Sequence, residues 1–330
     1  MRAAVTGGAG FIGSNLVDAL IADGAGVLVI DDFSHGSLLN LSDAVGRGAE
    51  LAEVDVRDGA GVHRAMLAFR PDVVFHLAAQ IDVRTSMLEP AVDAAVNVLG
   101  SVNVFAAALA AGTRRVVNTS TGGAIYGETG LVPTPETTPA DPISAYGLSK
   151  QTAERYGRWF RRSHGLDVVT LRYGNVYGPR QDPRGDAGVV AIFCDHVLSG
   201  SRPRVFGDGS QTRDYVFVGD IVAANRAVVA ATDLSHDTYN VGTGKEIDVL
   251  TLVAAVAEAA GVEPTTFTPE FRPARAGEVR RSCLDVSRAR DELGLTASTD
   301  LMDGLRATLG WVRTMSPGEP TDVPPRGRAI

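Results

Sequence analysis

The sequence predicts an α/β protein built on a doubly wound parallel sheet, with a smaller, interleaved C-terminal α/β substrate lobe. Three observations lead there. Short apolar runs alternate with helical periods through the first half of the 330-residue chain, the pattern that parallel strands and crossover helices require. The first run opens directly into a glycine-rich turn and a helix. Polar residues cluster at the carboxyl ends of the runs, where ligands of such sheets bind.

Arg2 to Thr6 reads as a buried strand, followed by Gly7-Gly8-Ala9-Gly10-Phe11-Ile12-Gly13 and an amphipathic helix to about Asp23. Gly8, Gly10 and Gly13 fit G-x-G-x-x-G, while Gly7, Gly10 and Gly13 fit G-x-x-G-x-x-G. Such glycines allow a tight turn and let backbone N–H groups approach a pyrophosphate at the positive end of a helix. A second strand, Gly26 to Ile30, ends in Asp31-Asp32, with Asp31 lying 18 positions past Gly13. A carboxylate there takes the hydroxyls of an adenine ribose and repels a 2′-phosphate, favouring NAD over NADP.

A third strand is expected at Leu51 to Val54 with Asp55-Val56 at its end, and a fourth from Val73 to Leu77, followed by Ala78-Ala79-Gln80. Helical periodicity covers Ala91 to Ala111, and a fifth strand, Arg115 to Asn118, leads into Thr119-Ser120-Thr121. A helix carrying Tyr146 and Lys150 runs to about His164, before a strand, Leu166 to Leu171, that ends in Arg172-Tyr173-Gly174-Asn175.

Beyond this point the alternation weakens. Residues 177–188 read as an ordered loop, Val189 to Leu198 as a helix and Tyr215 to Val218 as a strand. Helices are expected at 220–232, 249–260, 287–293 and 300–313. The division that follows is a dinucleotide-binding domain over 1–174, to which strands and helices return from about 215–245. A substrate lobe spans 175–314, and a disordered, proline-rich tail covers 315–330.

The net charge of -8 and pI near 5.3 leave no basic face for nucleic acid. Cys194 and Cys283 show neither metal-ligand spacing nor a disulfide framework, so no metal is expected. The N-terminus enters a strand without a leader, and no apolar stretch approaches the roughly 20 residues that span a bilayer. A soluble cytoplasmic enzyme without membrane contact is the expectation.

Tyr146 and Lys150 stand four residues apart in Tyr-x-x-x-Lys, so both rise from one face of a helix. A phenol, with a reference pKa of about 10, is a poor base at neutral pH. A neighbouring ammonium stabilises the phenolate and makes it usable. Alone the pattern is common; after a cofactor cradle and a polar strand end it marks an acid/base centre.

The glycine turn, Asp31, His76-Leu77-Ala78-Ala79, Thr119-Ser120-Thr121, Tyr146/Lys150 and the run Arg172 to Arg180 together resemble the extended short-chain dehydrogenase/reductase superfamily. The resemblance is to its NAD-dependent epimerase/dehydratase family, and within it to the UDP-glucose 4-epimerase group. It spans Arg2 to about Val312. Gly122-Gly123-Ala124-Ile125-Tyr126-Gly127, Gln181-Asp182-Pro183, 187–193 and Arg213-Asp214-Tyr215 support the narrower grouping.

The resemblance implies a Rossmann-type fold, tightly bound NAD and reversible oxidation at C4 of a nucleotide sugar. Tyr146 would take the proton of the 4-hydroxyl. Lys150 would lower its pKa and bind the nicotinamide ribose, and Thr121 would hydrogen-bond the same oxygen. Phe11 and Ile12 would offer N–H groups to the pyrophosphate. Asp55 and Val56 would lie beside adenine, and Asn97 and Tyr173 near nicotinamide. Further cofactor contacts are implied at Asp32, Ser34, Gly36, Leu77, Ala78, Ala79, Gln80 and Thr119. Asn175 would hold the substrate diphosphate, Arg213 and Arg275 would supply counter-charge, and Glu278 would contact the nucleotide ribose. Substrate contacts are also implied at Gly122, Gly188, Val189, Val205, Phe206 and Gln211.

Related dehydratases carry Asp-Glu after the threonine, whereas this chain has Thr121-Gly122-Gly123. Related decarboxylases carry a Glu before Tyr-Gly, where Gly123-Ala124-Ile125 stand here. A plain 4-epimerase is therefore expected. Ser282 stands at the family's gate for the sugar's 2-substituent, and a small residue there admits an N-acetyl group. Arg184 is a candidate partner for a C6 carboxylate, as in UDP-glucuronate, against the alternative of a loop arginine paired with Asp182 and Asp186. Uracil and thymine nucleotides both remain open. The family also implies a homodimer through Ala91–Ala111 and Ala145–His164. Two other classes share these residues: a reductase with net redox turnover, and a non-catalytic NAD-binding regulator.

Overall fold

A computed structural model describes residues 1–184, 188–275 and 279–315. The expected tail, 316–330, and Glu278 lie outside the described residues.

The apolar runs form a seven-stranded parallel sheet. Its strands are β1 (Arg2–Thr6), β2 (Gly26–Asp31), β3 (Glu50–Glu53), β4 (Val73–His76), β5 (Arg115–Thr121), β6 (Asp167–Tyr173) and the edge strand Thr238–Val241. The order across the sheet is Thr238–Val241, β6, β5, β4, β1, β2, β3, with every pair parallel. The chain moves outward in both directions from β1 and β4, so the crevice for ligands opens at their carboxyl ends. Val-, Ile- and Leu-rich strands suit this position because both faces are covered.

One face packs Leu16, Val17 and Leu20 with Ile221, Val228 and Tyr239. The other packs Met66, Phe69, Val104, Phe105 and Phe160. Each such side chain taken fully out of water contributes about 1.5–3 kcal/mol. A third cluster, with Phe193, Leu252, Val256, Leu305 and Leu309, forms the core of the C-terminal lobe. Cys194 and Cys283 are buried thiols.

Three differences from the sequence reading have physical causes. The expected helix over 91–111 is one apolar stretch, but it comprises Pro90–Ala94, a π turn over Ala95–Leu99 and Gly100–Ala110. This stretch, Pro90–Ala110, also corrects the view that nothing here has membrane-spanning length. It runs 21 residues with mean hydropathy 1.6. It nonetheless turns Asp93, Asn97 and Ser101, at 1%, 1% and 3% exposure, into the protein, as a core helix does.

Strand Tyr215–Phe217 stops one residue short of its expected end because Val218 starts the helix Val218–Ala230. Finally, Tyr177 belongs to a strand rather than a loop: Asn175–Tyr177 pairs in parallel with Tyr215–Phe217. Two further short pairs, Thr212–Arg213 with Ile247–Asp248 and Arg204–Phe206 with Glu270–Arg272, stitch the lobe together.

Candidate active site

The glycines after β1 are held to their positions by backbone. Gly7 has φ +67°, and a Cβ there would lie 2.6 Å from the Ala78 nitrogen; one on Gly13 would lie 2.1 Å from the Gly7 carbonyl oxygen. Helix Phe11–Ala22 has no side-chain cap, so the N–H groups of Phe11 and Ile12, just past Gly10, are free for an anion.

At the end of β2, Asp31 is 7% exposed. Its two carboxylate oxygens accept from Ala9 N and Phe33 N, each at 2.9 Å, which leaves a lone pair on each for ribose hydroxyls. Burial pushes its carboxyl up, opposed by those two backbone donors. Asp32 accepts from Ser34 N and Oγ, and a Cβ on Gly36 would meet Ala9 Cβ at 2.7 Å. The loop thus folds back over the cradle. This set of residues fits a dinucleotide. Asp55 makes an ion pair with Arg57, which holds its carboxyl below the usual range, and Val56 packs under Gly100.

The loop after β4 is clamped by one side chain. Asn97 accepts from Gln80 N and donates to Gln80 O, both at 2.9 Å, beside Leu77, Ala78 and Ala79. His76, 2% exposed, contacts Thr6 Oγ1 at 2.8 Å and Ser101 Oγ at 2.9 Å. Burial drives its pKa down to about 3, so it is a neutral imidazole.

Helix Ala145–His164 starts at Ser144, whose hydroxyl accepts from Gly147 N at 3.1 Å. Gly147 lets it press on the turn Gly122–Ile125, since a Cβ there would sit 2.6 Å from Ala124 O. Thr121 lies near enough to the Tyr146 phenol to oppose the rise of its pKa. Lys150, 5% exposed, donates to Thr119 O at 3.0 Å. The expected lowering of the tyrosine by the lysine is not what the protein alone displays. Burial pushes the phenol up to about 12 and the lysine down to about 8. Both charged forms lose water here, which disfavours the phenolate and the ammonium alike. The Tyr173 hydroxyl is turned into the fold, with Thr119 at 3.4 Å and Asn225 at 2.8 Å.

On the substrate side, a Cβ added to Gly123 would lie 3.3 Å from Asn175 Oδ1, 3.9 Å from Ser282 Oγ and 4.0 Å from Thr121 Oγ1. These three polar groups therefore converge around Gly123. Arg213 donates to Thr212 O at 2.7 Å. The Arg275 guanidinium lies over the Phe206 ring at 3.6 Å, and Gln211 donates to Phe206 O at 2.9 Å. A Cβ on Gly188, just before Val189 opens its helix, would meet Gln181 at 2.7 Å. Val205 is 1% exposed in the lobe core, so its side chain serves packing. Arg184 forms an exposed ion pair with Asp182 at 3.0 Å.

Three buried acids, Asp93, Glu154 and Asp214, escaped the sequence reading as site residues. Asp214, 1% exposed, accepts from Thr243 N and Oγ1, Gly244 N and Leu284 N, binding three chain segments beside Asn175. Asp93 lies beneath the Tyr–Lys pair. Its signal was present: Asp93, Asn97 and Ser101 recur every four residues in an otherwise apolar helix.

A doubly wound fold with a glycine cradle, the Asp31 carboxylate at the end of β2 and a half-buried Tyr146 four residues before the buried Lys150 defines a dinucleotide-dependent enzyme of the short-chain dehydrogenase type. More narrowly, the chain belongs to the NAD dependent epimerase/dehydratase family, which matches residues 3–242. It is 45% identical to the UDP-glucose 4-epimerase of Mycolicibacterium smegmatis, over 96% of this chain and all of that one. The Thermotoga maritima UDP-glucose 4-epimerase, solved with UDP-glucose, superposes with TM-score 0.90 at 43% identity, over 96% of this chain and 99% of that one. The Thermus thermophilus UDP-glucose 4-epimerase, solved with NAD, gives 0.88 at 41%, over 95% and 99%. At lower identity, 32%, the chain is also similar to a dTDP-glucose 4,6-dehydratase of an Actinoplanes species, over 95% of this chain and 98% of that one.

Proposed function

We propose that this protein is a UDP-sugar 4-epimerase of the UDP-glucose/UDP-galactose type. The observation that carries this is the convergence of Thr121, Asn175 and Ser282 around Gly123, where an elimination enzyme needs a carboxylate. NAD held in the cradle supplies a hydride acceptor and donor at C4. Tyr146, near Thr121, takes the proton of the 4-hydroxyl and returns it to O4 once the keto sugar has turned its other face to the hydride donor. Lys150, fixed by Thr119 O, holds positive charge beside the phenol and disfavours its proton there. Asn175, Arg213 and Arg275 anchor the diphosphate while the 4-keto hexose turns. The two guanidiniums give the diphosphate oxygens charge-assisted hydrogen bonds, a geometry that Arg suits.

Arg184 already pairs with Asp182, which favours a neutral C6 over a carboxylate. Ser282 leaves room at C2. Exposed Met87, Leu88, Leu99, Leu148 and Trp159 line the helices at 83–110 and 145–164, and an apolar patch of this kind supports a homodimer through those helices. We read the protein as cytoplasmic. Incubation with UDP- and dTDP-sugars, with products read by NMR, tests the assignment. Interconversion of UDP-glucose and UDP-galactose is expected; a 4-keto-6-deoxy product overturns it. Light scattering reads the dimer.

A further inference from the structure

The buried carboxylate beneath Tyr146 and Lys150 has no part in the mechanism above. Asp93 is 1% exposed and lies on the helix that faces helix Ala145–His164. Its Oδ1 accepts from Gln80 Nε2 and from Asn97 Nδ2, both at 3.0 Å. Its Oδ2 is buried without a hydrogen-bond partner among the described residues. An isolated charge in such a place is costly unless another charge answers it.

The charges around Lys150 identify which one does. Glu154, one turn along the same helix, is held by Arg172 through two bonds of 2.8 and 2.6 Å, with Arg158 at 3.6 Å. Its charge is therefore already answered. His76, from β4, is engaged by Thr6 and Ser101 and carries no charge at neutral pH. Tyr146 is a neutral phenol in the resting protein. Asp93 makes no ion pair with an arginine among the described residues; burial pushes its carboxyl up while Lys150 pulls it down, and its charge acts on Lys150 ahead of that of Glu154.

The same carboxylate also organises the neighbouring backbone. Asn97, which Asp93 accepts from, clamps Gln80 and donates to Ser149 Oγ at 3.1 Å. Ser149 in turn donates to the Tyr146 carbonyl at 3.0 Å. The π turn at Ala95–Leu99 is where this chain of bonds crosses from one helix to the other.

We propose that Asp93 is a positioning residue for the catalytic pair. It is the counter-charge that keeps Lys150 an ammonium, and through Asn97 and Ser149 it fixes the stem of Tyr146. The catalytic importance of that ammonium rests on the function proposed above, whereas the charge relation itself does not.

The chain contains two lysines, Lys150 and Lys245, so the side chain of Lys150 can be titrated directly. The NAD-loaded protein is labelled with ¹³C-lysine, and Lys245→Arg assigns the signals. In Asp93→Asn, an isosteric change, the Lys150 midpoint should fall by about one pH unit or more, the size expected for a nearby opposite charge. In Asp93→Glu it should lie nearer the wild type. Melting temperatures and NAD content of the same samples check that the fold survives. An unchanged midpoint in a folded Asp93→Asn protein overturns the proposal. The alkaline limb of kcat should move down with the midpoint, while KM changes less than about twofold. If the midpoint moves and the limb does not, the assignment of Lys150 to catalysis fails and the charge relation stands.

Discussion

The side chain of Leu284 occupies the space that a Cβ on Gly122 would fill, with its Cδ1 2.5 Å from that position. The two residues are far apart in sequence. Leu284 is 1% exposed and packs with Ile125 and Tyr126, so this close contact joins the strand end that carries Thr121 to the substrate lobe. It also closes one of the two places where a dehydratase would need a carboxylate.

A substitution at that contact is the first test. Gly122→Ala should destabilise by about 1–3 kcal/mol through overpacking, read as a lower melting temperature. In the double variant with Leu284→Ala the two effects should not add, because the smaller side chain makes room. Simple addition would mean that the contact is not what constrains Gly122.

Tyr146→Phe removes the proton carrier and should lower kcat by about 10²–10⁴-fold with little change in stability. Thr121→Ala removes one hydrogen bond and should cost about tenfold. Steady-state kinetics on UDP-glucose distinguish the two. Equal losses would indicate that the phenol and the hydroxyl act only as a pair.

His76 gives the fold a pH dependence with a definite sign. Its folded pKa, about 3, lies below its unfolded value of 6.5. Its contribution is therefore present above about pH 6.5 and lost as pH falls toward 3. From this group alone the slope approaches about 1.4 kcal/mol per pH unit. Urea melts between pH 7 and 4 should show it, and His76→Gln should flatten it.

Asp31→Ala removes two backbone tethers at Ala9 and Phe33 together with the carboxylate proposed to accept from the cofactor ribose. NAD affinity should fall at least tenfold, since charge-assisted bonds contribute about 1.5–3 kcal/mol each. The NAD content of purified protein is the readout. Arg184→Ala, by contrast, should change turnover of UDP-glucose and UDP-glucuronate alike. A selective loss on the glucuronate would restore the carboxylate reading.

Much of this was legible in the chain. Strands β1 to β6 lie within a few residues of their expected bounds, and helix Ala145–His164 ends where expected; apart from β3, which is mostly exposed, these strands carry buried apolar runs. Gly7 and Gly13 were recognisable because backbone crowding demands glycine there. The edge strand Thr238–Val241 and the pairs Thr212–Arg213 with Ile247–Asp248 and Arg204–Phe206 with Glu270–Arg272 were not. They are too short for a period, and partners such as Arg204 and Glu270 are distant in sequence. The role of Leu284 against Gly122 was hidden for the same reason. Asp55 was legible as a charge, but its ion pair with Arg57 depends on loop geometry, whereas the pairing of Arg184 with Asp182 was one of the two sequence readings.

Turnover of UDP-glucose carrying deuterium at C4 tests the central claim most directly. The account predicts UDP-galactose with the label retained at C4 and no accumulation of reduced cofactor. Loss of the label to a dissociable cofactor, or a 4-keto-6-deoxy product, would contradict it.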